Sequence, residues 1–289
     1  MRPSTIPLQR TQLIFRHLHH TMAAENPAAS PAPWRGLFLE HIQAMDLPTC
    51  SFSTLHYEPP SSSGAAPRIT PRSRTVVFRG LWASLAPNPK NPAPLNPSAY
   101  ESDLLAITND ARMQKTAELS ESGTSSASSL TPQTGGGGPV EAVFWAVPSR
   151  TQWRIRGHAY VLGPDIDSEA AEPVKTTIQH HMRLTGSDDA ADWSWERELT
   201  AHFGNLSPGM RGSFRNPPPG APLSEEPAPG LGLGHTVEDL HDKIARENFR
   251  VVVIVPDEVD QVDLSNPEIA QRWNHKLVES SWVTTEVWP

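Results

Sequence analysis

The residues of this sequence that could do chemistry are cations set within or beside short apolar runs. Arg74 and Arg79 stand at the two ends of one run, and Arg112 and Lys115 share a side of a predicted helix. Half-buried guanidinium groups need partners, and few acids lie in these segments. A bound phosphate would supply them, so the pattern predicts an anion site. An ideal strand points Arg74 and Arg79 to opposite faces, so only a bulge or a strand end brings both to one ligand.

The chain around Thr108 gives a second reason for an anion site. Residues 104–108 predict a strand, and residues 111–119 predict a helix with Asp110 as its N-cap. The first turn of such a helix points free N–H groups and the positive end of its dipole at a ligand beside Thr108. Asp110 itself would repel an anion, so we expect its carboxylate to point away or to be screened.

The alternative is that the arginines pair with acids at the edge of the core. Gln152, Arg154 and Arg156 alternate with apolar residues, which puts the three polar side chains on one face of a strand. Glu141 or the terminal carboxylate could neutralise such arginines. Spacing alone leaves both this alternative and the anion site open.

The usual catalytic and metal-binding motifs are absent from the sequence, which contains no HExxH, GxSxG, CxxC or phosphate-loop lysine motif. His180 and His181 are adjacent and diverge on any regular element. The single cysteine, Cys50, can form neither an internal disulfide nor a cysteine metal site. We therefore expect no metal centre and assign no catalytic side chain, and the cysteine usage favours an intracellular, cytoplasmic protein.

Charge and hydropathy argue against two classes of partner. The 289 residues include 24 Lys and Arg against 32 Asp and Glu, which gives a net charge of -8. Phosphate-backbone affinity needs an excess of cations on some face, so nucleic acid is not expected as the main partner. No apolar run is long enough to span a membrane, so a membrane is not expected either.

The sequence predicts an N-terminal tail followed by one domain. Residues 1–24 carry three arginines and no acid, the pattern of a mitochondrial presequence, and the alternatives are an unstructured tail or an initiator at Met22. We treat residues 1–32 as a disordered tail or targeting segment and residues 33–289 as the domain. Stretches rich in Pro, Gly or Ser predict low-complexity insertions near residues 59–71, 87–97, 120–139 and 217–234.

Between these insertions the sequence is rich in short strand patterns. The continuous apolar run from Val251 to Val255 is typical of a strand buried on both faces. Many short strands and few helices favour an antiparallel barrel with helices outside over a doubly wound sheet. Strands are predicted at residues 51–57, 74–82, 104–108, 141–147, 152–162, 249–255, 272–278 and 282–288, and helices at 33–45, 111–119, 193–203 and 207–214.

Taken in order, these segments resemble a known family. The sequences RTVVFR at 74–79, ITNDARMQK at 107–115 and QWRIRG at 152–157 resemble the flavin-contacting strands of pyridoxamine 5'-phosphate oxidase-like split barrels. Residues 207–220, with a proline run at their end, resemble the subgroup named after the cyanobacterial Alr4036 protein. The resemblance spans about residues 33–289 and implies a mainly β fold, a β-barrel with flanking helices that is an FMN-binding split barrel.

The resemblance also implies a cofactor, a partner and a set of contacts. Members of the family bind FMN, usually at the interface of a homodimer. The matching positions would hold the phosphate, contact the flavin ring or close the site from the C-terminal segment. In that order these cofactor-binding residues are Arg74, Arg79, Thr108, Arg112 and Lys115 for the phosphate and the adjoining flavin, Gln152 for the ring, and Arg272 for the C-terminal contact.

The substrate positions depart from the family pattern. True pyridoxamine phosphate oxidases carry Arg-x-His just before the residue that matches Arg272, and this chain has Glu268 and Ala270 there. An acid at that position repels a substrate phosphate. The resemblance therefore implies an FMN-dependent oxidoreductase with an altered substrate site and an unidentified small-molecule substrate, and the alternative is a non-catalytic module that binds FMN or haem.

Overall fold

The central sheet is built from strands whose side chains alternate between a buried and an exposed face. The computed structural model describes residues 30–58, 66, 68–120, 133–186 and 188–289. In β6, Trp153 and Ile155 are fully buried while Gln152 and Arg154 are partly exposed. The strands are β1 (Thr49–Glu58), β2 (Arg68–Leu81), β3 (Tyr100–Ser102), β4 (Leu105–Asp110), β5 (Gly135–Ala146), β6 (Thr151–Leu162), β7 (Met182–Leu184), β8 (Phe249–Asp263), β9 (Gln271–Val278) and β10 (Ser281–Val287).

The strands of the main sheet pair antiparallel and close into a barrel. Their order is β10-β9-β8-β4-β2-β1-β5-β6, and β6 also pairs with β8. The long β8 makes this closure possible, because its first half pairs with β4 and its second half with β9, while β6 runs along both halves. A mainly β barrel with flanking helices, as the sequence predicts, is confirmed.

Six helices surround this sheet in the described residues, and one of them closes the barrel. Phe38 from the first helix packs edge-on against Phe144 and Trp153, with ring centroids 5.2 and 5.5 Å apart. None of these helices is long and apolar enough to cross a membrane in the part of the chain that the structure describes. The helices are α1 (Arg35–Gln43), α2 (Gln114–Ser120), α3 (Glu172–Gln179), α4 (Trp195–Gly204), α5 (Pro208–Gly212) and α6 (Lys243–Asn248).

Two hydrophobic cores lie on the two sides of β8. Val252 and Ile254 face the barrel interior, and Val251 and Val253 face the layer of helices outside it. All four side chains are essentially inaccessible to solvent. The prediction from the apolar run that this strand is buried on both faces is confirmed.

Two of the predicted insertions are partly wrong. Residues 68–71 belong to β2, and residues 135–139 belong to β5; residues 59–65, 67 and 121–132 lie outside the described residues. The glycines of β5 fit a strand because Gly136, with a φ of 112°, lies against the backbone of β6, where a Cβ would come within 2.9 Å of the Ala159 carbonyl oxygen. Residues 87–97 and 217–234 contain no helix or strand.

The predicted start of α2 is also wrong. Asp110 is the last residue of β4 and not an N-cap, because its carboxylate accepts a hydrogen bond from the Arg112 backbone N–H (2.9 Å) and closes a short turn before the helix begins at Gln114. The helices at residues 33–45, 193–203 and 207–214 are present in shortened or shifted form. The sequence patterns did not indicate β3, β7, α3 or α6.

Candidate anion and cofactor site

Arg74 lies at the end of the barrel that α2 covers. It shares the inward face of β2 with Val76 and Phe78, which belong to the barrel core. Its Nη1 donates to the Thr54 hydroxyl (2.5 Å) and its Nη2 donates to Glu118 Oε2 (2.8 Å). Arg74 is therefore oriented by a carboxylate from α2, and the Glu118 side chain is only 2% exposed.

Lys115 comes from the first turn of α2 and belongs to the same cluster. Its ammonium contacts the Met113 sulfur and forms no ion pair with a described residue. Burial, followed by the positive charge of Arg74, lowers the pKa of Lys115 to about 8. The carboxylates of Asp110 and Glu118 act on this pKa in the opposite direction, so acids as well as a cation surround the ammonium.

Arg112 is close to Lys115 in sequence, but its guanidinium makes contacts within the protein that hold the local backbone. Its guanidinium pairs with Asp110 (2.7 Å between Nη2 and Oδ2) and donates to the Asn216 carbonyl (2.9 Å). The expected screening of Asp110 is thus present, because this arginine neutralises it. Arg112 fixes the turn that leads into α2 and joins it to the loop after α5.

Arg79 and Thr108 form a second group on the other side of β2. Arg79 Nε donates to the Thr108 hydroxyl at 3.2 Å, and burial lowers the pKa of its guanidinium. The register of β2 with β4 shifts between Phe78 and Leu81, which is an irregularity of the kind that a bulge produces. It does not bring Arg79 to Arg74, which remains on the inward face with Thr54 and Glu118.

Gln152 and Arg272 form a third group on the outer face of the sheet. Gln152 is paired with Val262 on β8, and Val262 is paired with Arg272 on β9, so the two side chains lie in one row, two strands apart. Arg272 makes an ion pair with Asp260, 3.0 Å from Nε to Oδ2. A single chain therefore places the predicted cofactor residues in three groups.

On the same face, two arginines form ion pairs with acidic residues, as the alternative to an anion site predicts. Arg154 Nε lies 3.1 Å from Glu141 Oε1, and Arg156 reaches both Glu141 and Glu258 at 3.3 Å. These exposed pairs sit on neighbouring strands in register, so no ligand is needed to neutralise them.

Sequence reasoning missed Glu118 as a member of the cluster. It bonds Thr54 and Arg74, and its Oε1 lies 3.3 Å from His56 Nδ1. A signal was available, since Glu118 is three residues after Lys115 and shares its side of α2. The partner strand β1, which supplies Thr54 and His56, could not be placed beside α2 from spacing.

Comparison with known protein families finds a match to a little under half of the chain. Residues 31–163, from before α1 to the end of β6, match the family described as pyridoxamine 5'-phosphate oxidase, FMN-binding domain. We call residues 31–163 the oxidase-like domain, after the family model that they match. Six of the seven predicted cofactor residues lie within this oxidase-like domain, and Arg272 lies beyond it.

One solved structure extends the likeness of the fold beyond the oxidase-like domain. A pyridoxamine 5'-phosphate oxidase-related, FMN binding protein from Nostoc punctiforme covers 90% of this chain and 100% of its own, with a TM-score of 0.52 and 17% identity. PhzG from Burkholderia lata, in complex with tetrahydrophenazine-1-carboxylic acid, is more distant, with a TM-score of 0.39 and 14% identity over 87% of this chain and 86% of its own. The fold is that of the split barrels of this family.

A curated relative is similar over a shorter stretch. The uncharacterized protein YGR017W of Saccharomyces cerevisiae is 30% identical over 100 residues. That stretch is 33% of this chain and 34% of the yeast protein, so the chain spans about a third of the length of the curated relative it matches.

Proposed function

We propose that this protein is an FMN-binding flavoprotein, and that it works as an oxidoreductase of the pyridoxamine 5'-phosphate oxidase-like type with an altered substrate site. The observation that carries the proposal is that Arg74, held by Glu118 of α2, and the buried Lys115 of the same helix both lie inside the oxidase-like domain. Lys115 is buried and forms no ion pair with a described residue, and a buried ammonium favours an anionic ligand.

The donors of this cluster fit a phosphate monoester. The Lys115 ammonium has donors to spare, and Arg74 keeps its Nε–H beyond the bonds that its Nη atoms make to Thr54 and Glu118. A phosphate accepting from both residues would satisfy them and would raise the pKa of Lys115 from its lowered value. The residues present therefore suit the phosphate end of FMN.

The remaining residues would position these donors. Glu118 holds Arg74, and the Arg112–Asp110 pair fixes the turn from which Lys115 projects. Gln152 and Arg272 would approach the flavin ring from the outer face of the sheet. The helix α5 and the proline run after it support placing the chain in the Alr4036-type subgroup.

FMN would supply hydride or single-electron transfer when bound. The chain would contribute orientation, exclusion of water and positive charge, and arginines near the ring would favour its anionic reduced form. We assign no side chain as a general acid or base.

The positions that depart from the oxidase pattern support a second candidate. Glu268 is exposed in the loop before β9, and Ala270 is only partly buried, so neither offers a donor for a substrate phosphate. On that observation the protein would instead hold FMN, or haem, without turnover.

We also propose a homodimer, because the outer face of the sheet carries exposed apolar side chains. Trp145 and Val283 are close to half exposed, and Trp288 is 94% exposed. A second copy covering this face would bring Gln152 and Arg272 to a shared cleft, which would explain why one chain leaves the predicted residues in separate groups. Sedimentation equilibrium of the purified protein tests this.

The decisive experiment is the absorption spectrum of the purified protein, with mass spectrometry of what it releases on heating. FMN in stoichiometric amount is the expected result, and a colourless protein whose melting temperature does not rise with added FMN would refute the flavin proposal. Anaerobic photoreduction followed by oxygen and candidate amines or nicotinamide donors then separates the two candidates, since only the oxidoreductase turns over.

A further inference from the structure

A proline-rich loop lies between α5 and α6 in the helical layer. Residues 217–229, which we call the proline loop, have the sequence PPPGAPLSEEPAP, with six prolines, two glutamates and no lysine or arginine. Pro218 and all residues from Pro222 to Pro229 are exposed, and Leu223 at the middle of the loop is fully exposed. The loop therefore presents proline rings, one leucine and negative charge to solvent.

One arginine holds the two ends of the proline loop together. Arg215 precedes the loop, and its Nε and Nη2 donate to the Gly230 carbonyl oxygen at 3.3 and 3.1 Å. Its Nη1 pairs with Asp242 at 3.1 Å, and the Gly232 N–H donates to the Arg215 carbonyl oxygen at 2.9 Å. Because its ends are held, the loop loses less conformational freedom on binding a partner than a free chain would.

Backbone turns fix the path of the loop. Pro219 and Gly220 have the pattern of a type II turn, and Gly220 has the positive φ, 86°, that the third position of this turn requires. The Ala221 N–H closes the turn on the Pro218 carbonyl oxygen at 3.1 Å. A second Pro-Gly turn at residues 228–231 has a closing hydrogen bond of 3.0 Å. The loop is thus ordered by its own hydrogen bonds.

The residues before the first turn form polyproline II helix. A proline ring fixes φ at about -65°, and a residue that precedes proline is held in extended conformation. Asn216 shows this geometry, with a φ of -64° and a ψ of 160°. Pro217 and Pro218 also precede prolines, so residues 216–218 make one turn of this three-residue helix. Aromatic-lined grooves of SH3, WW and EVH1 domains bind proline-rich segments in this conformation.

We propose that the proline loop is a docking site for a protein domain that binds polyproline II in an aromatic-lined groove with basic residues at its rim. The exposed rings of Pro218 and Pro219 would enter the groove, and Leu223 would be covered at its edge. Glu225 and Glu226 are adjacent and exposed, so they favour a basic rim. The proposal does not depend on the flavin function, because none of the proposed cofactor residues lies in the loop.

The test titrates the purified full-length protein into isotope-labelled SH3, WW and EVH1 domains, each chosen with basic residues at the rim of its groove, and follows the amide signals of the domain by NMR. At least one domain should bind, with its shifted signals confined to the groove. Pro218→Ala with Pro219→Ala should weaken this binding about tenfold or more. Glu225→Lys with Glu226→Lys should weaken it roughly threefold to tenfold, and less at high salt.

A matched pair of substitutions provides the control. Pro89→Ala with Pro94→Ala makes the same change at two exposed prolines of the loop at residues 87–97, and it should leave binding unchanged. Both double proline variants should melt close to the wild-type temperature, which separates loss of docking from loss of folding. The proposal is overturned if none of the three domains binds, if the shifted signals lie outside the groove, or if the two proline pairs have equal effects.

Discussion

The two cationic regions along β2 differ in how their charge is compensated. Arg74 is held by the buried carboxylate of Glu118, whereas Arg79 donates to the neutral Thr108 hydroxyl and forms no ion pair among the described residues. Strand alternation sends the two arginines to different neighbours, and those neighbours decide the outcome. At one end of this apolar run the arginine is ion-paired within a cluster of polar side chains. At the other end the arginine has a neutral hydrogen-bond partner and no ion pair with a described residue.

The largest effect should come from breaking the Arg74 pair. Arg74→Met leaves Glu118 buried without its cation, so we expect a loss of about 3 kcal/mol in the free energy of unfolding, measured by urea denaturation. The double variant Arg74→Met with Glu118→Met should recover most of that loss, because no buried charge is left unpaired. A single variant as stable as the wild type would show that Glu118 does not depend on Arg74.

The next effect is a pH dependence from Lys115. Its pKa is about 8 in the folded protein against an ordinary value of 10.5, so the folded state holds fewer protons than the unfolded state between those values. The cost of burying the charged lysine is fully present below pH 8 and disappears as the pH rises towards 10.5. Lys115→Met should therefore be more stable than the wild type near pH 7, by up to about 2 kcal/mol, and should lose that advantage at alkaline pH.

Urea titrations of both proteins from pH 7 to 10.5 measure this difference. Added FMN should reduce it, because a phosphate beside Lys115 raises the pKa of the ammonium. A constant difference across the pH range would mean that Lys115 is not buried as a charge.

FMN affinity should respond to the same residue. Lys115→Met removes a charged donor, worth roughly 1.5–3 kcal/mol, so the dissociation constant for FMN should rise about tenfold to a hundredfold. Riboflavin lacks the phosphate and is the matched control, since its weaker binding should be unaffected by the substitution. Fluorescence titration measures both ligands, and equal losses for both would place Lys115 away from the phosphate.

The smallest effect should come from Arg79. Arg79→Leu leaves no acid unpaired and removes one hydrogen bond to Thr108, so the free energy of unfolding should change by less than about 1 kcal/mol. Thermal and urea denaturation beside Arg74→Met give the comparison directly. A loss as large as that of Arg74→Met would mean that Arg79 has a compensating partner after all.

The barrel could be predicted from the sequence because its strands are marked by local patterns. Alternation in β6 and the apolar run in β8 depend on the residues of one strand and the side each must bury. The glycines of β5 were misassigned to a loop for the opposite reason. They fit a strand only because the backbones of β6 and α2 approach them, and that approach is a tertiary fact.

The site could be predicted only in part for the same physical reason. Residue type and spacing indicated Arg74 and Lys115, and the predicted screening of Asp110 is present. Spacing could not show that Arg112 would form an ion pair with Asp110. It also could not show that Glu118, far along the chain, would accept a hydrogen bond from Arg74. Such pairings depend on which strand lies beside which helix.

The position of β8 between two cores has a consequence for how the molecule unfolds. Its residues from Val251 to Ile254 point alternately into the barrel interior and into the helical layer. Each layer therefore needs β8 in place to complete its core, and β8 needs both layers to stay buried. The barrel and the helical layer should therefore unfold together, in one cooperative transition, rather than as separate units. The amide hydrogens of these residues should be among the slowest to exchange with deuterated solvent, at the rate of global opening.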